Sequence, residues 1–188
     1  NGAVDAIGGE FSLSAGVLGF TVAITLLGCA VGAWFAGQLA DRLGRKTVMV
    51  TAAVLFAANS IGSAWAFSVW DLMLWRLIGG LAIGTASVIA PGYIAEKWRG
   101  ALGSVQQLAI TIGIFAALLS DAWLANTAGS AFNELWWGMA AWRWMLLVGV
   151  APAIVYGILA LTIPESPQYL VRKNRDEEAA KVLRDITG

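Results

Sequence analysis

The sequence predicts an all-α membrane protein with five membrane-spanning helices, and three observations carry that prediction. Of its 188 residues, 59% are apolar and only 13% charged, against about 45–50% and about 25% in ordinary soluble domains. Its charges delimit long neutral runs: thirty residues between Glu10 and Asp41, twenty-four between Lys46 and Asp71, and nineteen between Arg76 and Glu96. Two more, of twenty-one residues each, separate Arg99 from Asp121 and Arg143 from Glu165. About 20 helical residues cross a hydrocarbon core of about 30 Å, so each run spans once. Mean hydropathy is +0.72. Five buried helices in a soluble bundle would each keep a polar stripe, and these runs hold almost none.

The spans are placed at 15–39, 47–67, 72–94, 102–123 and 143–163. The first neutral run is too long for a single crossing, and its Phe11-Ser12-Leu13-Ser14 start reads as an entry at the membrane interface. Asn1 to Gly9 lacks the basic n-region of a signal peptide and reads as the close of a preceding helix. The chain is therefore expected to be a fragment, or a gene product without its first helix. Segment 124–142, rich in Gly, Ala, Asn and Trp, reads as a loop with an interfacial portion, because tryptophan favours the membrane–water boundary. After Pro164 the composition turns soluble. Within 174–186, Ala179, Val182, Leu183 and Ile186 share a face and Asp176 to Glu178 open the first turn, where the helix dipole favours acids. This predicts a short amphipathic helix. Two regions follow: a transmembrane bundle over 1–164 and the start of a cytoplasmic helical region over 165–188.

Basic residues give the orientation. Arg42, Arg45 and Lys46 follow the first span, Lys97 and Arg99 the third, and Arg172, Lys173, Arg175, Lys181 and Arg184 the last. Ten of the twelve cations thus fall on one side, which the positive-inside rule makes cytoplasmic. The expected location is the cell (plasma or inner) membrane, multi-pass, with the C-terminus inside. Twelve acids balance twelve bases, so no global field calls for nucleic acid. One cysteine, Cys29, and no histidine remove disulfide frameworks, thiolate or His–carboxylate metal sites and Ser–His catalysis. An intramembrane enzyme would need a catalytic Asp pair or a Ser–His pair within the spans, and neither exists. No enzyme, metal or cofactor is expected.

Several motifs remain. Gly37-Gln-Leu-Ala-Asp41-Arg42-Leu-Gly44-Arg45-Lys46 makes a tight turn between two spans, with an acid that can pair with a cation or cap a neighbouring helix. Trp75-Arg76-Leu-Ile-Gly79-Gly80-Leu-Ala-Ile-Gly84 puts Gly80 and Gly84 on a face made for close helix packing. Pro91-Gly-Tyr93-Ile-Ala-Glu96, Arg99-Gly100 and Gln106-Gln107 follow, then Gly113-Ile114, Trp142-Arg143-Trp144-Met145 and Pro164-Glu165-Ser166-Pro167-Gln168.

Taken together these motifs resemble the major facilitator superfamily, and within it the sugar-porter family of glucose and xylose transporters, nearly end to end. The resemblance implies helices two to six of a twelve-helix fold, with a stub of helix one and a first intracellular helix, which is the N-terminal half-bundle. Two departures stand out. Only Lys97 and Trp98 separate Glu96 from Arg99, where the family has several more residues including a proline, and the family's Pro-Glu-Ser-Pro-Arg ends here in Gln168.

Arg76 lies about one turn inside an apolar span, where an unpaired arginine costs roughly 2.5–3.5 kcal/mol. It either snorkels or faces the bundle with a partner. In proton-coupled relatives the matching arginine pairs with a helix-one aspartate that lies outside these 188 residues, so a coupled proton is left open. Gln107 offers an amide that both donates and accepts; its plain alternative is an interhelical hydrogen bond. The resemblance implies sugar contact for Gln107, with Ile114 two turns along bordering the same cavity. Gln106, about 100° around the helix, is a further substrate-binding candidate, ranked behind Gln107 because it is turned away from that contact. Asp41, Arg42, Arg45, Arg76, Glu96, Arg99, Arg143 and Glu165 make up an implied conformational charge network, whose plain alternative is a solvated rim. The implied function is half of a secondary active or facilitative sugar carrier working by alternating access, with a hexose or pentose, the lipid bilayer and a C-terminal six-helix half as partners. A carrier for another neutral polyol or organic solute, or a non-transporting half-protein, is the alternative.

Overall fold

The computed structural model describes residues 3–89 and 99–187. A short helix α1 (Val4–Glu10) turns through Phe11 to Ser14, with Ser12 in the left-handed region at φ 49°. The Ser14 side chain then caps α2 (Ala15–Leu43), accepting from the Val17 amide. The interfacial entry expected at Phe11–Ser14 is this turn. Gly44 ends α2 at φ 90° and α3 (Arg45–Ala64) begins at the next residue. Ser68 and Asp71 open α4 (Val69–Ile89): the Asp71 amide donates to Ser68 Oγ, and the Phe67 amide to the Asp71 carboxylate. Asp71 is thus occupied with a helix start. The expected end of the third span, residues 90–94, lies outside the described residues.

The fourth span is longer than predicted. α5 (Arg99–Ala128) holds thirty residues and reaches Gly129, whose φ of 79° stops it. Residues 124–128 are therefore helical and not loop, because Leu124 is 3% exposed in a core with Trp142 that outweighs the local Asn and Thr content. Residues after it form a two-stranded hairpin, β1 (Glu134–Trp136) and β2 (Met139–Ala140), turning through Trp137 and Gly138 at positive φ. The fifth span is broken. α6 (Ala141–Leu147) and α7 (Val150–Thr162) meet at Val148–Gly149, because Pro152 has no N–H to offer the Val148 carbonyl and its ring crowds that oxygen. α2, α3, α4, α5 and the α6–α7 pair are each long and apolar enough to cross a membrane.

After Pro164, α8 (Pro167–Arg172) and α9 (Asp176–Thr187) pack on each other. Ala179 is buried on α9, and Arg175 grips Glu178 at 2.6 Å, which holds its guanidinium above the ordinary arginine range. The predicted amphipathic helix over 174–186 is this element.

Two apolar clusters close the ends of the bundle. One gathers Ala3, Ala6, Ile7, Ala66, Leu72, Leu124, Trp142 and Met145 at the tryptophan-rich end. The other joins Ala36, Ala40, Val48, Met49, Ile89 and Ala160 towards the basic end. Polar side chains and cavities lie between them.

Candidate functional site

A close contact between α2 and α4 positions the interior. Gly28 and Gly32 of α2 face Gly80 and Gly84 of α4, and a Cβ on Gly80 or Gly84 would strike the Thr25 or Cys29 carbonyl oxygen. Backbone thus lies on backbone, and Thr85 Oγ1 adds contacts to the Gly32 carbonyl at 3.4 Å and the Leu81 carbonyl at 2.7 Å. Small residues permit this approach where no hydrophobic force drives helices together in lipid. The sequence marked the α4 half of the seam; its α2 half, Gly28 and Gly32, was not recognised.

One turn before Gly80 on α4, Arg76 lines two cavities. The first, about 230 Å³, lies among Val4 and Ile7 of α1, Thr21 and Thr25 of α2, and Arg76. The second, about 250 Å³, is bounded by Asn59, Ser60 and Ser63 of α3, Gly79 of α4 and Gly149 of the α6–α7 break. Arg76 therefore faces the bundle and does not snorkel to an interface. It has no hydrogen bond or ion pair among the described residues. Ser63 donates to Asn59 Oδ1 at 3.3 Å, and the Asn59 amide packs directly on Gly79. This polar stripe on α3 went unrecognised, because its residues are uncharged and sit within an otherwise apolar run.

Gln107 lies on α5 two turns from the helix start at Arg99, exposed, with its carbonyl accepting from Thr111 Oγ1 at 3.0 Å. Ile114, on the same face seven residues on, is 58% exposed. Leu108, Ile112 and Phe115 are open too, since α5 packs chiefly at its far end, on α6 and β1. Exposure along α5 therefore does not separate a cavity face from a lipid face. The Gln106 backbone is on α5, but its side chain lies outside the described residues, as does that of Arg99; Glu96 lies outside them altogether.

At the basic end, Glu165 does specific work. One carboxylate oxygen accepts from the Lys46 amide at 3.2 Å and from the Ser166 amide at 2.9 Å, so it satisfies the starts of α3 and α8 together. Gly44 leaves it room: a Cβ there would sit 2.5 Å from Glu165 Oε2. Lys46 Nζ donates to the Leu161 carbonyl at the end of α7, 2.7 Å away. Asp41 pairs with Arg172 at 3.2 Å, both largely exposed, above a crevice shared with Arg45 and Gln168. Arg42 is exposed and pairs with no carboxylate among the described residues. Asp41, Arg45 and Glu165 are thus brought together, with Arg172 as a member that sequence reading did not select. Arg143 is far from them, at the opposite end, where it donates to the Ala64 carbonyl at 2.8 Å, approaches Glu10 at 3.5 Å and stacks on Trp142.

Comparison with known proteins fits this geometry. Residues 6–188 match the family described as "Sugar (and other) transporter". A glucose transport protein of Synechocystis is 49% identical over 193 residues, covering all of this chain and 41% of the relative. The galactose-proton symporter of Escherichia coli K12 is 40% identical, with coverage of 97% and 38%. The fold superposes over its whole length on the proton:xylose symporter XylE, solved with 6-bromo-6-deoxy-D-glucose, at TM-score 0.87 and 32% identity, and accounts for 45% of that chain. The chain thus spans about two fifths of the curated relatives it matches, and its fold is the N-terminal half of the major facilitator architecture. It is a multi-pass membrane protein. The chain belongs to the sugar (and other) transporter family.

Proposed function

We propose that this chain forms the N-terminal half of a secondary carrier for a neutral sugar, a hexose or pentose, that works by rocking one half against the other around a central cavity. The observation that carries the reading is continuity: the family likeness covers residues 6–188, and the fold likeness to a sugar symporter covers the whole chain. The division at Pro164 separates the transmembrane bundle, 1–164, from the first helices of an intracellular region, 165–188. The basic end faces the cytoplasm across the cell membrane. The chain is not an enzyme on this reading, and its partners are the sugar, the bilayer and a C-terminal half. Relatives named proton symporters support proton coupling, with Arg76 as the cation that answers a carboxylate.

Within this reading Gln107 holds a sugar hydroxyl, Ile114 walls the same cavity and Gln106 lies aside. Asp41, Arg42, Arg45, Glu96, Arg99 and Glu165 form the cytoplasmic charge network, and Arg143 holds the opposite rim.

The test is made in a complete carrier containing this segment. Gln107→Leu keeps approximate volume and suits an apolar span, so membrane abundance stays near wild type. It leaves a sugar hydroxyl unpaired at about 1–3 kcal/mol, so apparent affinity falls about ten-fold or more. Gln106→Leu does much less. If both variants lower abundance and neither changes affinity, Gln107 is a packing residue and the assignment fails.

A further inference from the structure

The structure holds a second concave site, at the end of the bundle opposite the basic residues. Glu10 closes α1, Trp65 caps the end of α3, and the segment 129–143 folds over both. Between them lies a cavity of about 390 Å³, bounded by Glu10, Trp65, Phe132, Glu134, Gly138 and Arg143. That volume is in the range of small-molecule sites.

Its walls are firmly built. Phe132 lies on Gly9, where an added Cβ would sit 2.5 Å from the ring. Ala141 and Trp142 amides donate to the Asn133 and Ala131 carbonyls at 2.9 and 3.1 Å, and Asn133 Nδ2 donates to the Ala128 carbonyl at 2.8 Å. Arg143 forms the floor. Its side chain is 19% exposed, and the Ala64 carbonyl, Glu10 and the Trp142 ring hold the guanidinium from three sides. Two of its five N–H groups are committed there, so donors remain for a ligand.

The chemistry of the lining is specific. Two carboxylates accept hydroxyl protons in pairs, a guanidinium donates, and the half-exposed Trp65 and Phe132 rings offer apolar faces. The Glu134 carboxylate has no partner among the described residues. Arg143 neutralises Glu10, so the lining does not carry the concentrated charge that would select an ion. A ring of hydroxyls with apolar C–H faces satisfies all of these groups at once. α1 also joins this site to the interior: Val4 and Ile7 line the cavity at Arg76, and Glu10 lies roughly 9 Å further along the same helix.

We infer that this cavity is an external capture site for a neutral monosaccharide, distinct from the central one and placed beside the mouth of the carrier. It rests on the sugar-carrier reading for its ligand. Two independent site classes follow: a tighter central class that depends on Gln107 and a weaker external class that depends on Glu134 and Trp65.

The experiment is equilibrium binding of radiolabelled D-glucose to the complete carrier in nanodiscs. Two sugars bind per carrier. Glu134→Gln combined with Trp65→Leu, both at exposed positions, lowers the count to one and leaves the tighter class. Gln107→Leu weakens the tighter class about ten-fold and leaves the weaker. A single class, abolished by Gln107→Leu and untouched by the double variant, overturns the external site while the carrier reading stands. Displacement of the weaker class by potassium or calcium and not by excess unlabelled glucose also overturns it, in favour of a cation site. No binding of labelled D-glucose or of labelled D-xylose by any variant, the wild type included, defeats the external site and the sugar-carrier reading together.

Discussion

Glu165 shows how one side chain ties several helix ends together. Its carboxylate receives two backbone amides, and Gly44 at φ 90° is the residue that lets it approach. Removing a partially buried acceptor leaves both donors unmatched, at about 1–3 kcal/mol. Glu165→Ala is therefore expected to lower the unfolding midpoint of the purified protein clearly, while Glu165→Gln, which keeps an acceptor oxygen, recovers most of the loss. Equal damage from both variants in a thermal melt would mean that the negative charge matters and the capping does not. The sequence marked Glu165, because its motif sits beside a proline at a sharp change in composition. It did not reveal the backbone contacts, one of which joins residues 119 positions apart. Gln107 shows the reverse. Its type and position were legible, yet its environment depends on what lies against α5.

Elements were legible where a single physical term dominates. Five apolar runs became five candidate membrane spans because nothing in a bilayer competes with burying such segments as helices. Their ends moved where local chemistry intervened: Gly44 set one boundary, Ser68 another, and Leu124 drew five extra residues into α5. The break at Val148–Gly149 was present in the sequence as Pro152, but hydropathy counting is blind to a missing N–H. The hairpin 134–140 was read as plain loop, since its strands are too short for alternation to register. The glycine seam yields the sharpest expectation at this scale. Gly84→Leu drives a side chain into the Cys29 carbonyl, which has no flexible end to move, so α2 and α4 must separate. The variant is expected to insert but to lose the folded bundle, seen as aggregation on size exclusion after mild detergent extraction. Gly113→Leu, with open space around its Cβ position, should elute as wild type. Matching profiles for the two would show that the seam tolerates a side chain.

The distribution of charge and tryptophan sets how the whole molecule sits. Among the described residues, Arg42, Arg45, Lys46, Arg172, Lys173, Arg175, Lys181 and Arg184 lie at one end of the bundle, while Trp65, Trp70, Trp136 and Trp137 stand exposed at the other. Short basic loops are retained on the cytoplasmic side, and indole rings settle at the interface. Both signals agree with the helix count: α2, α3, α4, α5 and the α6–α7 pair carry the chain across an odd number of times, so Ser12 and Asn174 must face opposite compartments. Ala128 at the end of α5 shares the side of Ser12, and Asn174, between α8 and α9, shares the side of Asp41. Cys29 sits within α2 at the glycine seam and should react little with a charged reagent. Single cysteines introduced at Ala128 and at Asn174 therefore report cleanly. In intact cells an impermeant maleimide is expected to label Ala128→Cys fully and Asn174→Cys only after permeabilisation. Labelling of Asn174→Cys in intact cells with Ala128→Cys protected would invert the orientation, and would place the Glu10–Arg143 cavity on the cytoplasmic face. Labelling of both in intact cells would mean an even number of crossings, with the break at Val148–Gly149 as the place where the fifth span turns back.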